Sequence, residues 1–295
     1  MEEQNTTIFQ IDSPLVKELY KNNDNFLIEY SNSVLEKYCV IYFCSNDLYY
    51  PNTEIAFKEQ LLSKNKFEWY KTRVNNAYKH IFIRDIQKQW YLGGINANLN
   101  TPKKVFEFLR EETNGYKVIT LGSSAGGFAA IIFGQLLKAE KIFSFNGQFE
   151  IQSLLNSSTE NINPLIFRNI NNNELLKWYD TRNFITNPIS IFYFQSIKSD
   201  WDCEQFDWVK ELKINRIQFK TNNHGVPFLQ SNLSVVINMT QTELYKLIEK
   251  IHLPIFFSIQ LLGVFKTMTS IFQIVKFGLK KIYINTFLKF KQLYK

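Results

Sequence analysis

The chain has 295 residues, 45% of them hydrophobic and 21% charged. That composition can bury a large core and excludes intrinsic disorder. The formal charge of +7 is unevenly placed: residues 253–295 hold seven lysines and no acid, which leaves 27 basic and 27 acidic residues over 1–252. The body is neutral, so the basic balance is no nucleic-acid signature, and no nucleic-acid partner is expected. Cys39, Cys44 and Cys203 form no even framework and read as reduced thiols. The start, Met1-Glu2-Glu3-Gln4-Asn5, is acidic and polar and unlike a secretory leader. Both features lead to the expectation of a chain inside the cell.

Taken in order, the apolar β-branched run Tyr38–Cys44 predicts a first strand, and Ile55–Leu62 a helix. His80–Arg84 (HIFIR) is a second strand. A helix opens at Thr101-Pro102, with Thr101 as N-cap and Pro102 in its first turn. Lys117–Leu121 (KVITL) is a third strand, followed by a small-residue turn and an Ala/Ile-rich helix, Ala125–Leu137. Further strands are expected at Lys141–Phe145, Pro188–Phe194 and Ile214–Phe219, and helices near 203–212 and 241–251. Strands alternating with helices imply a mostly parallel sheet covered on both faces, with function at the carboxyl ends of its strands. The Asn-rich stretch 150–187 reads equally as a lid over a site or as an ordinary surface excursion. No internal repeat and no Pro/Gly-rich linker divides the body.

Gly122-Ser123-Ser124-Ala125-Gly126 matches G-x-S-x-G between an apolar strand and an Ala-rich helix. Small residues let such a turn close in a strained conformation that lifts the serine oxygen above the sheet. Ser124 is the candidate nucleophile, and the Ala125 amide is the candidate first oxyanion donor. The alternatives, a plain small-residue turn or a phosphate loop, lack the usual glycine patterns: neither G-x-G-x-x-G nor G-x-x-x-x-G-K-[ST] occurs there.

A serine needs a base. His80 sits in a predicted strand, and His252 adjoins the tail. His224, in Asn222-Asn223-His224-Gly225-Val226-Pro227 just past the last strand, is the candidate base. The acid is expected after the preceding strand, where Asp202 is favoured and Asp200 is the alternate. Asp202 also fits a helix-capping box with Gln205. Asp180 and Asp207 lie off that strand end. The second oxyanion donor is expected from the backbone of Ser45 or Asn46. Trp90, Tyr91 and Gly93, after the second strand, are candidate acceptor-groove residues; the competing reading makes them core anchors beside an Arg84–Asp85 pair. No Cys/His spacing suits a metal, and none is expected.

From Leu253 to Phe265 thirteen residues carry no charge, short of the ~18–20 needed to cross a bilayer. Lys266, Ser270, Gln273, Lys276 and Lys280 recur at near-helical spacing, opposite Phe265, Met268, Ile271, Phe272, Val275 and Leu279. This pattern predicts a basic amphipathic helix over 253–295 that lies on an anionic membrane surface, with a C-terminal helix packed on the body or a partner as the alternative.

Together GSSAGG, the RDxxxxWYLGGIN stretch (Arg84–Asn96), WDCEQ and NHGVPF resemble α/β-hydrolase-type O-acetyltransferases of bacterial capsular polysaccharide clusters over residues 38–230. The resemblance implies an α/β-hydrolase-like domain over 1–252 and a Ser-His-Asp triad at Ser124, His224 and Asp202. It further implies acetyl-CoA as donor and a sugar hydroxyl of a surface polysaccharide as acceptor. With the tail, the expected place is the inner face of the cytoplasmic membrane. A serine esterase or deacetylase uses the same triad, and oligomeric state is not legible.

Overall fold

In the computed structural model, which describes residues 11–32, 37–248 and 250–276, eight strands form one sheet. They are β1 (Phe26–Tyr30), β2 (Tyr38–Phe43), β3 (Lys79–Ile83), β4 (Lys117–Ser123), β5 (Lys141–Phe145), β6 (Ile191–Ser196), β7 (Asn215–Phe219) and β8 (Ile251–His252). Their spatial order is β1-β3-β2-β4-β5-β6-β7-β8. β1 runs antiparallel to β3, and every other pairing is parallel. The helices of eight or more residues cited below are α1 (Pro14–Asn22), α2 (Pro102–Glu112), α3 (Ala125–Leu136), α4 (Asp200–Asp207), α5 (Gln241–Ile248) and α6 (Pro254–Leu262).

The central strands are apolar on both faces because both are covered. Ile41, Phe43, Ile81 and Ile83 face one core with Val105 and Leu109 of α2 and most of α3. Val40, Tyr42, Phe82, Phe143, Phe145 and Phe194 face the other, with Leu233, Val236 and Leu244. α3 is buried in all but its last residue, which explains why its sequence is apolar all round rather than striped. Thr101 caps α2, its side chain accepting from the Lys104 amide at 3.2 Å.

Several boundaries differ from expectation. β1 is an added antiparallel edge strand; FLIEY is short and half exposed, which weakens its alternation signal. The expected strand from Pro188 starts at Ile191, because Pro188 has no N–H for the ladder and begins a 3-10 turn instead. The helix near 203–212 is α4, ending at Asp207, and the one expected to run to 251 ends at Ile248, before β8. Ile55–Leu62 divides into a short α-helix, Glu54–Phe57, and a π-helical turn, Lys58–Ser63. The 150–187 stretch folds into short helices that bury Ile166, Trp178 and Tyr179. Trp178 packs on Phe133 of α3, with ring centroids 6.2 Å apart.

α6 docks Phe257 against Phe219 and Phe228, so the body continues past residue 252. Gly263, at φ +81°, interrupts the helix, which then resumes to residue 276. By length and composition Pro254–Lys276 suffices to cross a membrane, which corrects the expectation that the tail is too short. Leu279, Lys280 and the rest of 277–295 lie outside the described residues.

His80 is buried inside β3, its Nδ1 2.9 Å from the Tyr42 hydroxyl. Burial, helped by the Arg73 charge, lowers its pKa to about 4 from 6.5. The unfolded chain therefore takes up a proton in a window where the folded chain refuses it. Stability present above pH 6.5 is lost as pH falls toward 4, by up to about 3 kcal/mol. Thermal melts should show the midpoint dropping through that window, and less steeply in His80→Gln; an equal drop in both proteins would remove His80 from the explanation.

Candidate active site

The site is assembled at the carboxyl ends of β4, β5 and β6 and in the loop after β7. Ser124 stands between β4 and α3 at φ +50° and ψ −123°, a region that side chains rarely adopt. The turn closes because glycines stand two residues to either side of Ser124. A Cβ on Gly122 would collide with the Gly126 carbonyl, and one on Gly126 with the Phe43 carbonyl. The Ser124 amide donates to the Phe145 carbonyl at 3.0 Å, tying the elbow to β5. Ala125 is the first residue of α3, so its amide has no intrahelical acceptor and points out of the positive end of the helix.

Ser124 and His224 meet across 100 residues of chain. His224 Nε2 lies 2.8 Å from Ser124 Oγ, and its Nδ1 lies 2.8 Å from Asp202 Oδ1. Asp202 is 1% exposed, and its Oδ2 has no hydrogen-bond partner among the described residues. A buried carboxylate with one oxygen on the imidazole fixes the ring's tautomer and orientation. Asp200 starts α4 exposed to solvent, so of the two candidate acids Asp202 is the one that reaches His224. The expected Asp202–Gln205 capping box is absent. Ser199 caps α4, accepting from the Asp202 amide, while Gln205 Oε1 accepts from the Phe149 and Glu150 amides.

Three residues that sequence reasoning missed support this arrangement. Asn146 follows β5 at φ +45° and is buried. Its Nδ2 donates to the carbonyls of Asn223 (3.1 Å) and Gly225 (2.9 Å), one on each side of His224, while its Oδ1 accepts from the Ser196 amide. Asn tolerates this left-handed backbone better than most side chains, which is the one signal the sequence offered. Trp201 stacks on the His224 ring, with centroids 5.1 Å apart and planes at 30°. Gln148 Nε2 donates to Ser124 Oγ at 3.3 Å and its Oε1 accepts from the Trp90 indole at 3.1 Å.

The remaining candidates sit differently from expectation. Trp90 and Tyr91 take the core-anchor reading: the cavity they line with Pro102, Phe128 and Trp178 has a volume of only about 10 Å³. Asp85 accepts the amides of Gln87, Lys88, Gln89 and Tyr91, which folds this loop inward and buries Trp90 and Tyr91. The Tyr91 hydroxyl donates to the Cys44 carbonyl at 2.8 Å, and Gly93 packs against Gln87 and accepts from the Tyr20 hydroxyl. Nor is there an Arg84–Asp85 pair: Arg84 bonds Asn25 and the Lys66 carbonyl and stacks on Phe67. Ser45 donates both its amide and its hydroxyl to Glu68, so its amide is not available to an oxyanion. Burial raises the Glu68 carboxyl above its usual range, against the lowering effect of those Ser45 bonds. Asn46, the other candidate of that loop, is half-buried.

Beside His224 a cleft of about 280 Å³ is lined by Ser45, Glu68, Trp69, Asn223 and Phe228 among others, and by no described residue of 150–187. Among the described residues no group of three or more His, Cys, Asp or Glu is placed to hold a metal ion.

No protein-family model matches the chain, and no curated protein matches it. Among solved structures it is similar to the capsule O-acetyltransferase of Neisseria meningitidis serogroup A: 15% identity, 78% of this chain, 93% of that chain, TM-score 0.47. It is also similar to an S-formylglutathione hydrolase of Staphylococcus aureus, at 10% identity over 76% of this chain and 92% of that one, TM-score 0.43. The Wnt deacylase Notum of Drosophila gives 12% identity over 68% and 80%, TM-score 0.40. With each of these three scores below 0.5, the class rests on the chain's own geometry. Sheet order, strained elbow and the chain order Ser, Asp, His define an α/β-hydrolase-like fold, with Ser124, His224 and Asp202 brought into hydrogen-bonding contact at the strand ends.

Proposed function

We propose that the protein is an O-acetyltransferase that moves an acetyl group from acetyl-CoA to a hydroxyl of a capsular or other surface polysaccharide. The observation that carries the acyl-enzyme part is the unbroken relay from Ser124 Oγ through His224 to Asp202, at 2.8 Å and 2.8 Å. Ser124 Oγ attacks the thioester carbonyl as its proton passes to His224 Nε2. The resulting oxyanion is met by the amides of Ala125 and Asn46. Collapse breaks the carbon–sulfur bond, and the CoA thiol leaves with the proton from His224. A sugar hydroxyl then gives its proton to His224, attacks the acetyl-serine and restores Ser124 as the free hydroxyl. The polar cleft wall of Ser45, Glu68 and Asn223 suits a hydroxylated acceptor.

A second reading, an esterase or deacetylase, is favoured by one observation: the His224 side chain is 34% exposed, so water reaches the base. Incubation with acetyl-CoA and a panel of capsular oligosaccharides separates the two. Transfer predicts one acetyl added to a sugar and its loss in Ser124→Ala. Cleavage of acetyl esters with no consumption of acetyl-CoA would overturn transfer in favour of hydrolysis.

We further propose that the C-terminal helical segment docks on an anionic bilayer. Phe256, Phe265 and Phe272 are 62%, 84% and 69% exposed. The hydroxyls of Thr267, Thr269 and Ser270 are already satisfied by carbonyls four residues back, which suits an apolar medium. The full chain should sediment with phosphatidylglycerol vesicles and not with purely zwitterionic ones; binding to neither would sink the proposal.

A further inference from the structure

A second cavity adjoins the catalytic cleft. Its volume is about 650 Å³, and it shares Glu68, Thr72 and Gln230 with the cleft as a common wall. Three lysines from one short stretch, Lys64, Lys66 and Lys71, line it. Nothing in the relay uses them, and the chain's neutral body gives no hint of such a cluster.

The charges there are poorly compensated. Lys71 makes no ion pair among the described residues. Lys64 reaches one exposed carboxylate, Glu59, at 2.6 Å. Lys66 is held in place by the Leu48 carbonyl, to which its Nζ donates at 3.0 Å, a contact that leaves its charge intact. The shared acid, Glu68, turns its carboxylate to Ser45 on the catalytic side. A concave wall with three ammonium groups, whose one lining carboxylate is turned to Ser45, concentrates anions, and lysine binds phosphate as a point charge. Leu27, Phe67 and Tyr70 supply an apolar wall beside the lysines, against which a flat base can rest.

Resting on the acyltransferase reading above, we propose that this cavity binds the phosphate-bearing nucleotide end of the acyl donor. The thioester arm would pass over the Glu68–Thr72–Gln230 wall into the cleft at His224. That places the reacting carbonyl and the phosphates of one CoA thioester in two contiguous cavities. The specificity for a phosphorylated donor then comes from residues 64–71, remote from the triad.

The test is calorimetric titration of the full chain with CoA, dephospho-CoA and pantetheine, at low and high salt. CoA should bind most tightly, pantetheine at least about tenfold more weakly, and added salt should narrow the gap. The double variant Lys64→Glu/Lys71→Glu should weaken CoA by at least about tenfold and pantetheine by less than about twofold. Lys66 is left in place because it also braces the Asp47–Leu48 loop. The ligand series on the unaltered protein stands even if the variant folds poorly. If CoA binds both proteins equally, or pantetheine matches CoA, the cavity assignment falls and the transferase reading survives. If the unaltered protein does not bind CoA, both fall. If the double variant keeps CoA but loses a phosphodiester-containing oligosaccharide, the anion belongs to the acceptor and the proposal is overturned.

Discussion

Ser124→Ala should lower the kcat of acetyl transfer by about 10⁵, and His224→Ala by a similar factor. The double variant should be little worse than either alone. The two side chains act as one unit through the 2.8 Å contact between Oγ and Nε2. Removing the oxygen leaves His224 with nothing to deprotonate; removing the imidazole leaves a hydroxyl too weakly acidic to attack. What survives in each variant is the oxyanion amides and substrate binding, which both variants share. Asp202→Asn should cost about 10⁴, because an amide facing Nδ1 favours the wrong tautomer. Steady-state kinetics of the four variants decide the matter. A loss below about tenfold in Ser124→Ala, or multiplicative losses in the double variant, would separate the relay from the chemistry.

The second large effect falls on a residue that touches no substrate. Gly126→Ala should destabilise the fold by about 3 kcal/mol, or a midpoint roughly 10 °C lower, and cut activity with it. A Cβ at Gly126 would meet the backbone of Phe43 and Cys44, so no flexible side chain can move aside. Relief requires α3 to shift away from the end of β2, which carries the Ala125 amide away from the Asn46 loop. Gly122→Ala should behave alike, since its Cβ meets the backbone of Gly126. Gly115→Ala is the contrast. Gly115 has φ +80° with nothing within 4 Å, so only backbone strain of about 1 kcal/mol is at stake. If Gly126→Ala melts no lower than Gly115→Ala, close backbone approach is not what these glycines provide.

Residues whose role is set by local chain geometry were legible in the sequence. The elbow needed only small residues between an apolar strand and an apolar helix, and His224 only a tight loop after the last long strand. The choice of Asp202 over Asp200 depended on which residue of α4 faces inward, a matter of helix phase that the Ser199 cap decides. Residues whose role depends on tertiary partners were not legible. Trp90 and Tyr91 read either as groove lining or as core anchors, and the choice is made by Asp85, which draws in four amides in a fold-back with no periodicity to announce it. Glu68 and Asn146 act on segments 23 and 77 residues away. The lysines at 64, 66 and 71 form a cluster only once the turn after the π-helical segment curls them around one cavity. The tail shows the opposite case: a count of uncharged residues stopped at Lys266, whereas the helical segment runs from Pro254 to Lys276 around it.

The claim on which all else depends is that Ser124 carries the acetyl group. The measurement is the intact and peptide mass of the protein, quenched in acid shortly after mixing with acetyl-CoA. The account predicts the gain of one acetyl group, on the peptide containing Ser124, absent in Ser124→Ala and discharged when an acceptor sugar is added. Release of CoA with no acetyl on that peptide, or with acetyl on another residue, would contradict it.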